Sequence, residues 1–492
     1  MTKEKLFSFQ QVLSSPVFAF FFAVGAGVLF LGRPSFWYDE AATVSAARRP
    51  VAEIIDLVGN VDLVHAAYYL VIHQWAGIFG FSEFGLRFPS VLAFALAAAG
   101  FALFISHFDR RPHLITPIAV VAFIVCPGIY WASGEARGYA FCLAAVCWAN
   151  VALVKALAAK HLRAVLCWLA YAVLLILATA FLLYAPLIGF FHATLVWMYF
   201  QRDRVSAKLL GFGISWLCCA AVAIPFALGC WQQRAQVAHL SDSWPRILVK
   251  VGLGQVFMGP RTQNVLWQIL AVAALIVCVV LVVILVPRIL AGSWRRQELL
   301  LALVWLVSPM LVIVGAKLLG HNFYAERYLV FANPGACWLV AELIVRGRLW
   351  NRRLADVLAV ILLLACLGST SFQRALLGSK AGQNYRELAQ FSRGASRVAF
   401  VDTDSRGIAI AYPNLMDGED VLLAETPVES DTLYGKNLRP EPLAGSGEVV
   451  VYFDTTRPYQ LEDYRAIALS SCVQEDAIRH AQYSAARFSC PL

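Results

Sequence analysis

The sequence predicts an α-helical polytopic membrane protein with a small α/β domain after its last span. Three observations predict it. Of 492 residues, 60% are hydrophobic and only 14% charged, with a mean hydropathy of +0.67; no soluble core hides that much apolar surface. Apolar runs near the ~20 residues needed to cross a bilayer recur up to residue 370. After Ser371 the chain turns polar and holds most of its acids.

Eleven candidate spans emerge, at about 16–32, 88–107, 113–131, 138–157, 163–182, 184–200, 208–229, 264–287, 298–318, 327–345 and 352–370. Lys3 and Lys5 precede the first. Alternate connections are then basic: His107–Arg111, Lys155–Arg163, Arg202–Lys208, Arg288–Arg296 and Arg346–Arg353. All of these fall on the side of the N-terminus, which the positive-inside rule makes cytosolic. The net charge of +9 is therefore an orientation signal, and no nucleic-acid partner is expected. Met1–Gln11 is short and basic, and the first apolar run has no small-residue cleavage site. No cleavable signal peptide is expected.

The same parity constrains residues 64–81. They are apolar, but a span there would move the basic loops to the other side. They are expected to form an amphipathic helix on the outer surface, with His65, Tyr69 and His73 on one face. Val51–Val58 reads as a second short helix, started by Pro50. The first outer loop, 33–87, is thus long and structured. Residues 230–263 make another sizeable outer loop, holding Trp231, Arg234, His239, Asp242, Trp244 and Arg261.

The polar region 371–492 reads as one α/β domain. Val398–Asp404 and Glu448–Asp454 are apolar runs ending in acid, as buried strands do; Asn384–Arg393 and Leu461–Ser470 read as helices. With an odd number of spans this domain lies outside. Ten of the twelve cysteines sit in or beside apolar runs, as small apolar side chains. Cys472 and Cys490 alone sit in the polar region, and an oxidising compartment makes a disulfide between them plausible.

Ionisable residues close to the spans gather in outer loops. Asp39 and Glu40 follow the first span, behind Phe36, Trp37 and Tyr38. Glu135 and Arg137 lie in Tyr130–Tyr139, and Lys317, His321, Glu326 and Arg327 in Lys317–Tyr328. Taken singly, Arg137 and Arg327 read as interfacial anchors, and His65, His73 and His321 as interfacial histidines. Jointly, acids with Arg, Lys and His suit a phosphate-bearing lipid and a proton transfer. No glycine-rich phosphate loop or Walker sequence appears, so no nucleotide cofactor is expected.

These residues resemble a family. Trp37-Tyr38-Asp39-Glu40, then Asp62-Leu-Val-His65-Ala-Ala-Tyr68-Tyr69, then Phe79–Ser90 look like the start of the GT-C glycosyltransferases. Within that fold the match is to the branch of protein O-mannosyltransferases and the lipid A aminoarabinose transferase. Ser133–Tyr139 resembles the branch's second outer motif, and Arg327-Tyr328 with Pro334 its late motif. The wording is also similar to uncharacterised mycobacterial membrane sugar transferases. Where the branch often has prolines before Tyr-Tyr, this chain has Ala66 and Ala67.

The resemblance implies a polyprenyl-phosphate sugar donor and an inverting transfer on the outer face of the plasma membrane. It makes Asp39 the general base, with Glu40 supporting it or touching a metal. Arg137, Lys317 and Arg327 would bind the donor phosphate; Glu135, Tyr139, Tyr69, His321 and Tyr328 would contact or support substrate. Some relatives hold a divalent ion, for which His65 and Glu83 are candidates. Mannose is the sugar by family association, with arabinofuranose and other polyprenyl-linked sugars open. The acceptor is a lipid, a glycan or a protein, and the C-terminal domain either binds it or caps the fold. The rival class is a lipid-linked-sugar flippase or other transporter. Transporters place ionisable residues at the midplane in repeated halves, and neither feature is evident here.

Overall fold

The computed structural model describes residues 12–109, 114–203, 206–237, 243–258, 265–290, 296–321, 324–371, 374, 380, 382–442 and 447–491. Lys3, Lys5, Arg110, Arg111, His239, Asp242 and Arg261 lie outside them. The helices are α1 (Pro16–Val28), α2 (Tyr38–Ala47), α3 (Val51–Asn60), α4 (Ala66–Phe79), α5 (Glu83–Ser106), α6 (Ile115–Val125), α7 (Pro127–Ser133), α8 (Tyr139–Ala158), α9 (His161–Phe181) and α10 (Gly189–Asp203). There follow α11 (Ser206–Gln232), α12 (Trp244–Val249), α13 (Val265–Leu290), α14 (Arg296–Leu318), α15 (Asn333–Trp350), α16 (Arg352–Ser371), α17 (Tyr385–Gln390), α18 (Gly407–Ala411) and α19 (Pro458–Ala468).

Each of the eleven predicted apolar segments carries helix. Among the described residues, seven helical stretches are long and apolar enough to cross a membrane, and eight if α6 and α7 count as one span bent by 61°. Pro127 opens α7 and breaks the ladder there, because proline lacks the N–H an interior helix turn needs. Three other expected segments lie outside that count: α1 has 13 residues, a 3₁₀ turn over Ala185–Ile188 leaves α10 with 15, and α13 contributes only Ala271–Val280 as a shorter apolar helix.

The chain divides into two compact units: Met1–Leu29 with Phe88–Gln373, and Phe30–Arg87 with Arg374–Leu492. The first outer loop, assigned from the sequence to the membrane domain, thus shares a unit with the polar C-terminal residues.

In the first unit, α8 packs on α9, α6 on α15, and α15 on both α14 and α16. Small side chains set these approaches. A Cβ on Gly335 would lie 2.7 Å from the backbone nitrogen of Leu306, so α14 and α15 meet only because residue 335 has none. α5 and α8 are mostly buried, whereas α9 and α11 expose most of their apolar side chains, as lipid-facing helices do. One polar chain crosses the interior. Trp216 Nε1 donates to Tyr171 Oη (3.0 Å), which faces His192 Nδ1 (2.9 Å), and His192 Nε2 lies 2.6 Å from Asn150 Oδ1. It joins α8, α9, α10 and α11 where polar groups must find partners among themselves.

In the second unit, five strands order as β2 (Glu419–Asp420), β1 (Arg397–Phe400), β5 (Gly447–Asp454), β7 (Tyr483–Cys490) and β6 (Val473–His480). β1 runs parallel to β2 and β5; β5–β7 and β7–β6 are antiparallel. A two-stranded ribbon, β3 (Leu423–Glu425) with β4 (Lys436–Asn437), stands apart. Val449, Val451, Ala399 and Phe488 form the sheet's core with Tyr464 and Leu469. The two strands and two helices read from the sequence are β1, β5, α17 and α19; the other strands are additions. α18 packs on α2, so the 33–87 segment lies against C-terminal residues.

Cys472 and Cys490 form a disulfide across 18 positions, joining the start of β6 to the end of β7. Closing a loop of that size stabilises by about 3 kcal/mol in the chain-entropy picture. C472S/C490S is expected to lower the unfolding midpoint of this unit and speed limited proteolysis between 472 and 490, while protease cuts in the membrane unit stay unchanged.

Candidate active site

In the second unit the site is built on one ion pair. Residues 35–37 form no regular element, Trp37 is extended, Phe36 and Trp37 are buried, and α2 starts at Tyr38. Asp39 and Glu40 occupy its first turn, where the helix dipole favours negative charge. Glu40 is fully buried. Its Oε1 accepts from Arg87 Nε (2.8 Å) and Lys380 Nζ (2.7 Å), and its Oε2 from Arg87 Nη2 (2.6 Å). Arg87 has three more N–H bonds, to the carbonyls of Leu31 (2.9 Å), Pro34 (2.7 Å) and Ser35 (3.0 Å). A guanidinium has five N–H donors, and here all five are used. Glu40, grouped with Asp39 from the sequence, thus ties α2 to the loop before it.

Asp39, one residue earlier, is half-buried. Tyr38 marks its surroundings. The Tyr38 hydroxyl donates to Asp404 (3.3 Å), its N–H to Gln383 (3.0 Å), and its carbonyl accepts from the Tyr434 hydroxyl (3.1 Å). Burial pushes the Tyr38 phenol far above its ordinary range, helped by the nearby charges of Asp404, Asp39 and Asp62. Asp62 has a left-handed backbone, φ 62°, and accepts from the hydroxyl of buried Tyr69. Asp62 and Asp404 therefore join Asp39 as carboxylates around Tyr38. Asp62 stood in a quoted motif without a role and Asp404 closed an expected strand, whereas Lys380 carries no local signal.

The other residues of the first loop are held structurally. His65 packs on Tyr69 (ring centroids 6.0 Å), and His73 Nδ1 lies 3.0 Å from the Ala47 carbonyl. Glu83 accepts from the Tyr412 hydroxyl (2.6 Å) and pairs with Arg386. No group of three or more His, Cys, Asp or Glu side chains able to hold a metal forms among the described residues.

In the first unit three stretches converge. α7, the π-helical turn Lys250–Met258 and the 3₁₀ turn Glu326–Ala332 pack on one another, and α8 packs on α7 and on the 3₁₀ turn. Glu135 and Arg137 are both buried on the α7–α8 turn, and Ser90 Oγ donates to the Glu135 carbonyl (2.6 Å). A Cβ at Gly138 would lie 2.8 Å from the Phe181 carbonyl oxygen, so the turn fits only with glycine there. The Tyr139 ring lies 5.4 Å from that of Trp131. Arg327 reaches over the Tyr328 ring, which stacks on Tyr184 (5.3 Å, 11°). Gln255 bridges the stretches, donating to Asn333 (3.0 Å) and accepting from Tyr324 (2.9 Å). The Ser133–Tyr139 and Arg327–Tyr328 motifs are thus brought together. Lys317 and His321 stand nearer the α12 side: Lys317 is 6.0 Å from the Trp244 ring, and exposed His321 is 6.2 Å from the Trp231 ring. An apolar cavity of about 450 Å³, lined by Val125, Cys126, Phe257, Val340, Leu362 and Cys366, opens between α6, α15 and α16.

No protein-family model and no curated protein matches the chain. Among solved structures it is similar to ArnT from Cupriavidus metallidurans bound to undecaprenyl phosphate, with a TM-score of 0.56 and 12% identity over 96% of this chain and 97% of that one. ArnT of the same organism in the apo state gives 0.55 and 11% over the same shares. The chain has the GT-C fold. A likeness at this identity carries fold alone, and the GT-C fold is the one the Trp37–Glu40 motif led to expect.

Removing one partner of a buried ion pair strands the other, at a cost of about 3–5 kcal/mol. Glu40→Ala is therefore expected to unfold the second unit of the GT-C chain at markedly lower temperature, and Glu40→Gln to cost less. The pH dependence has a definite sign. Burial alone would raise the Glu40 carboxyl, but Arg87 and Lys380 hold it down at about 2, below its ordinary 4.5. Its stabilisation is complete above pH 4.5 and lost as pH falls toward 2. The thermal midpoint should drop across that window in the wild type and less steeply in Glu40→Gln.

Proposed function

We propose that this chain is a polyprenyl-phosphate-sugar-dependent glycosyltransferase of the plasma membrane, working on the extracytoplasmic side. The observation that carries the proposal is the GT-C likeness over 96% of the chain to a protein bound to undecaprenyl phosphate. The acid at the start of α2, and the packing of α7 and α8, which flank Arg137, on the Glu326–Ala332 turn, which holds Arg327, support it.

The proposed step is a single displacement. An acceptor hydroxyl loses its proton to Asp39, and its oxygen attacks the anomeric carbon of the donor sugar. The bond from that carbon to the phosphate oxygen breaks, and the electron pair leaves with polyprenyl phosphate. The anomeric configuration inverts. Arg137, Lys317 and Arg327 balance the charge of the leaving phosphate, Arg by paired N–H bonds and Lys as a point charge. Glu135, Tyr139, Tyr69, His321 and Tyr328 position these groups or the substrate. The isoprenoid tail lies in the apolar cavity beside α6, α15 and α16. Glu40 is a positioning residue, and no step runs through a metal. The sugar is mannose on motif resemblance, with arabinofuranose as the alternative; the acceptor is a lipid, glycan or protein.

Asp39→Asn in the full chain, given a radiolabelled polyprenyl-phosphate mannose and cell-envelope acceptors, should lose about 10²- to 10⁴-fold in transfer with unfolding unchanged. Retained transfer by the well-folded variant removes Asp39 as base. Arg137→Ala and Arg327→Ala should each raise the donor KM about tenfold, the effect of one lost charge-assisted contact. Running the panel with polyprenyl-phosphate arabinofuranose decides the sugar. Vectorial uptake without a glycosidic product would favour the transporter class.

A further inference from the structure

The first unit holds a second, larger cavity, far along the helices from the α7–α8 turn. It measures about 1040 Å³. Six helix ends meet around it: those at which α5, α8 and α10 finish, and those at which α9, α11 and α14 begin. These are the ends joined by the basic connections. Three helix N-termini and three C-termini face the space, so their dipoles largely cancel and side chains set the field.

Those side chains are predominantly cationic. Lys160, in the α8–α9 turn, and Lys208, in the first turn of α11, line the cavity with His107, which follows α5; among the described lining residues Glu298 is the one carboxylate. Tyr199 is held between two of the bases. Its hydroxyl lies 2.8 Å from His107 Nε2, and its ring is 5.9 Å from Lys208 Nζ. The wall is different: Leu157, Leu195 and Leu301 line it, each 1% exposed. Exposed and half-buried cations at the mouth over an apolar wall match an amphiphile with an anionic head. At the water–lipid boundary the abundant group of that kind is a phosphate ester.

We propose that this cavity binds a phosphate-bearing headgroup in the leaflet on the side of the basic connections, with Lys160 and Lys208 as its ligands and Leu195 and Leu301 against the first carbons of its chains. The site is separate from the proposed transfer chemistry and does not depend on it.

The test uses the full chain, purified and placed in lipid nanodiscs or micelles, with phosphatidylglycerol and phosphatidylcholine as probes and native mass spectrometry as readout. The wild type should retain phosphatidylglycerol in preference to phosphatidylcholine. Lys160→Gln/Lys208→Gln should weaken that retention about tenfold or more, and Lys155→Gln, an exposed lysine on α8 outside the cavity, should leave it unchanged. Ala159→Glu, which puts an acid in the lining and keeps both lysines, should weaken it similarly. Inorganic phosphate at millimolar concentration that displaces the lipid assigns the site to free phosphate; failure to displace assigns it to the lipid; both support phosphate recognition. Equal retention of the two lipids, or wild-type retention by both the double variant and Ala159→Glu, overturns the proposal.

Discussion

A buried arginine with every N–H engaged is the constraint on which the first outer loop depends. Arg87 cannot lose its charge, so its burial demands compensation. Glu40 supplies the charge, and three consecutive-loop carbonyls, at Leu31, Pro34 and Ser35, absorb the remaining donors. The path of residues 31–40 is thereby fixed, and with it the direction in which α2 starts. Lys380 adds a second cation, so Glu40 stays ionised despite its burial.

The membrane unit solves a different problem. Its helices have no hydrophobic driving force between them in lipid, so close backbone approach and internal polar bonds hold them. Gly335 permits the first, and the Trp216–Tyr171–His192–Asn150 chain supplies the second. The irregular pieces, the α7 half of the bent α6–α7 pair and the turns at Lys250–Met258 and Glu326–Ala332, pack against one another. Non-helical backbone beside membrane helices is tolerated where protein covers it.

Much of this was legible in the residues themselves. Hydropathy marked helix in each expected span, though among the described residues only seven or eight stretches are long and apolar enough to cross, and residues 64–81, expected not to span, hold the 14-residue helix Ala66–Phe79. β1 and β5 were legible because both faces are covered and their sequences read as unbroken apolar runs. β6 was not: Val-Gln-Glu-Asp-Ala-Ile-Arg-His is an exposed edge strand, and its polar residues, suited to discouraging edge pairing, also erase the alternation that would announce it. β7 hides for another reason, since Ser484, Ala485 and Ala486 are buried yet small. In the site, Asp39 and Glu40 were told apart by motif resemblance, which made Asp39 the base and Glu40 its support. The ion pair of Glu40 with Arg87 and Lys380 needed tertiary structure, because Lys380 lies in a stretch with no periodicity of its own.

That partnership also has a temporal side. Glu40 and Lys380 are 340 positions apart in the chain, yet belong to one compact unit. At ordinary rates of synthesis, on the order of 5–20 residues per second, roughly half a minute passes between the making of the two. During that interval the segment around Glu40 has Arg87 but none of its downstream scaffold, so it waits, incompletely assembled, until the ribosome has delivered nearly the whole intervening bundle.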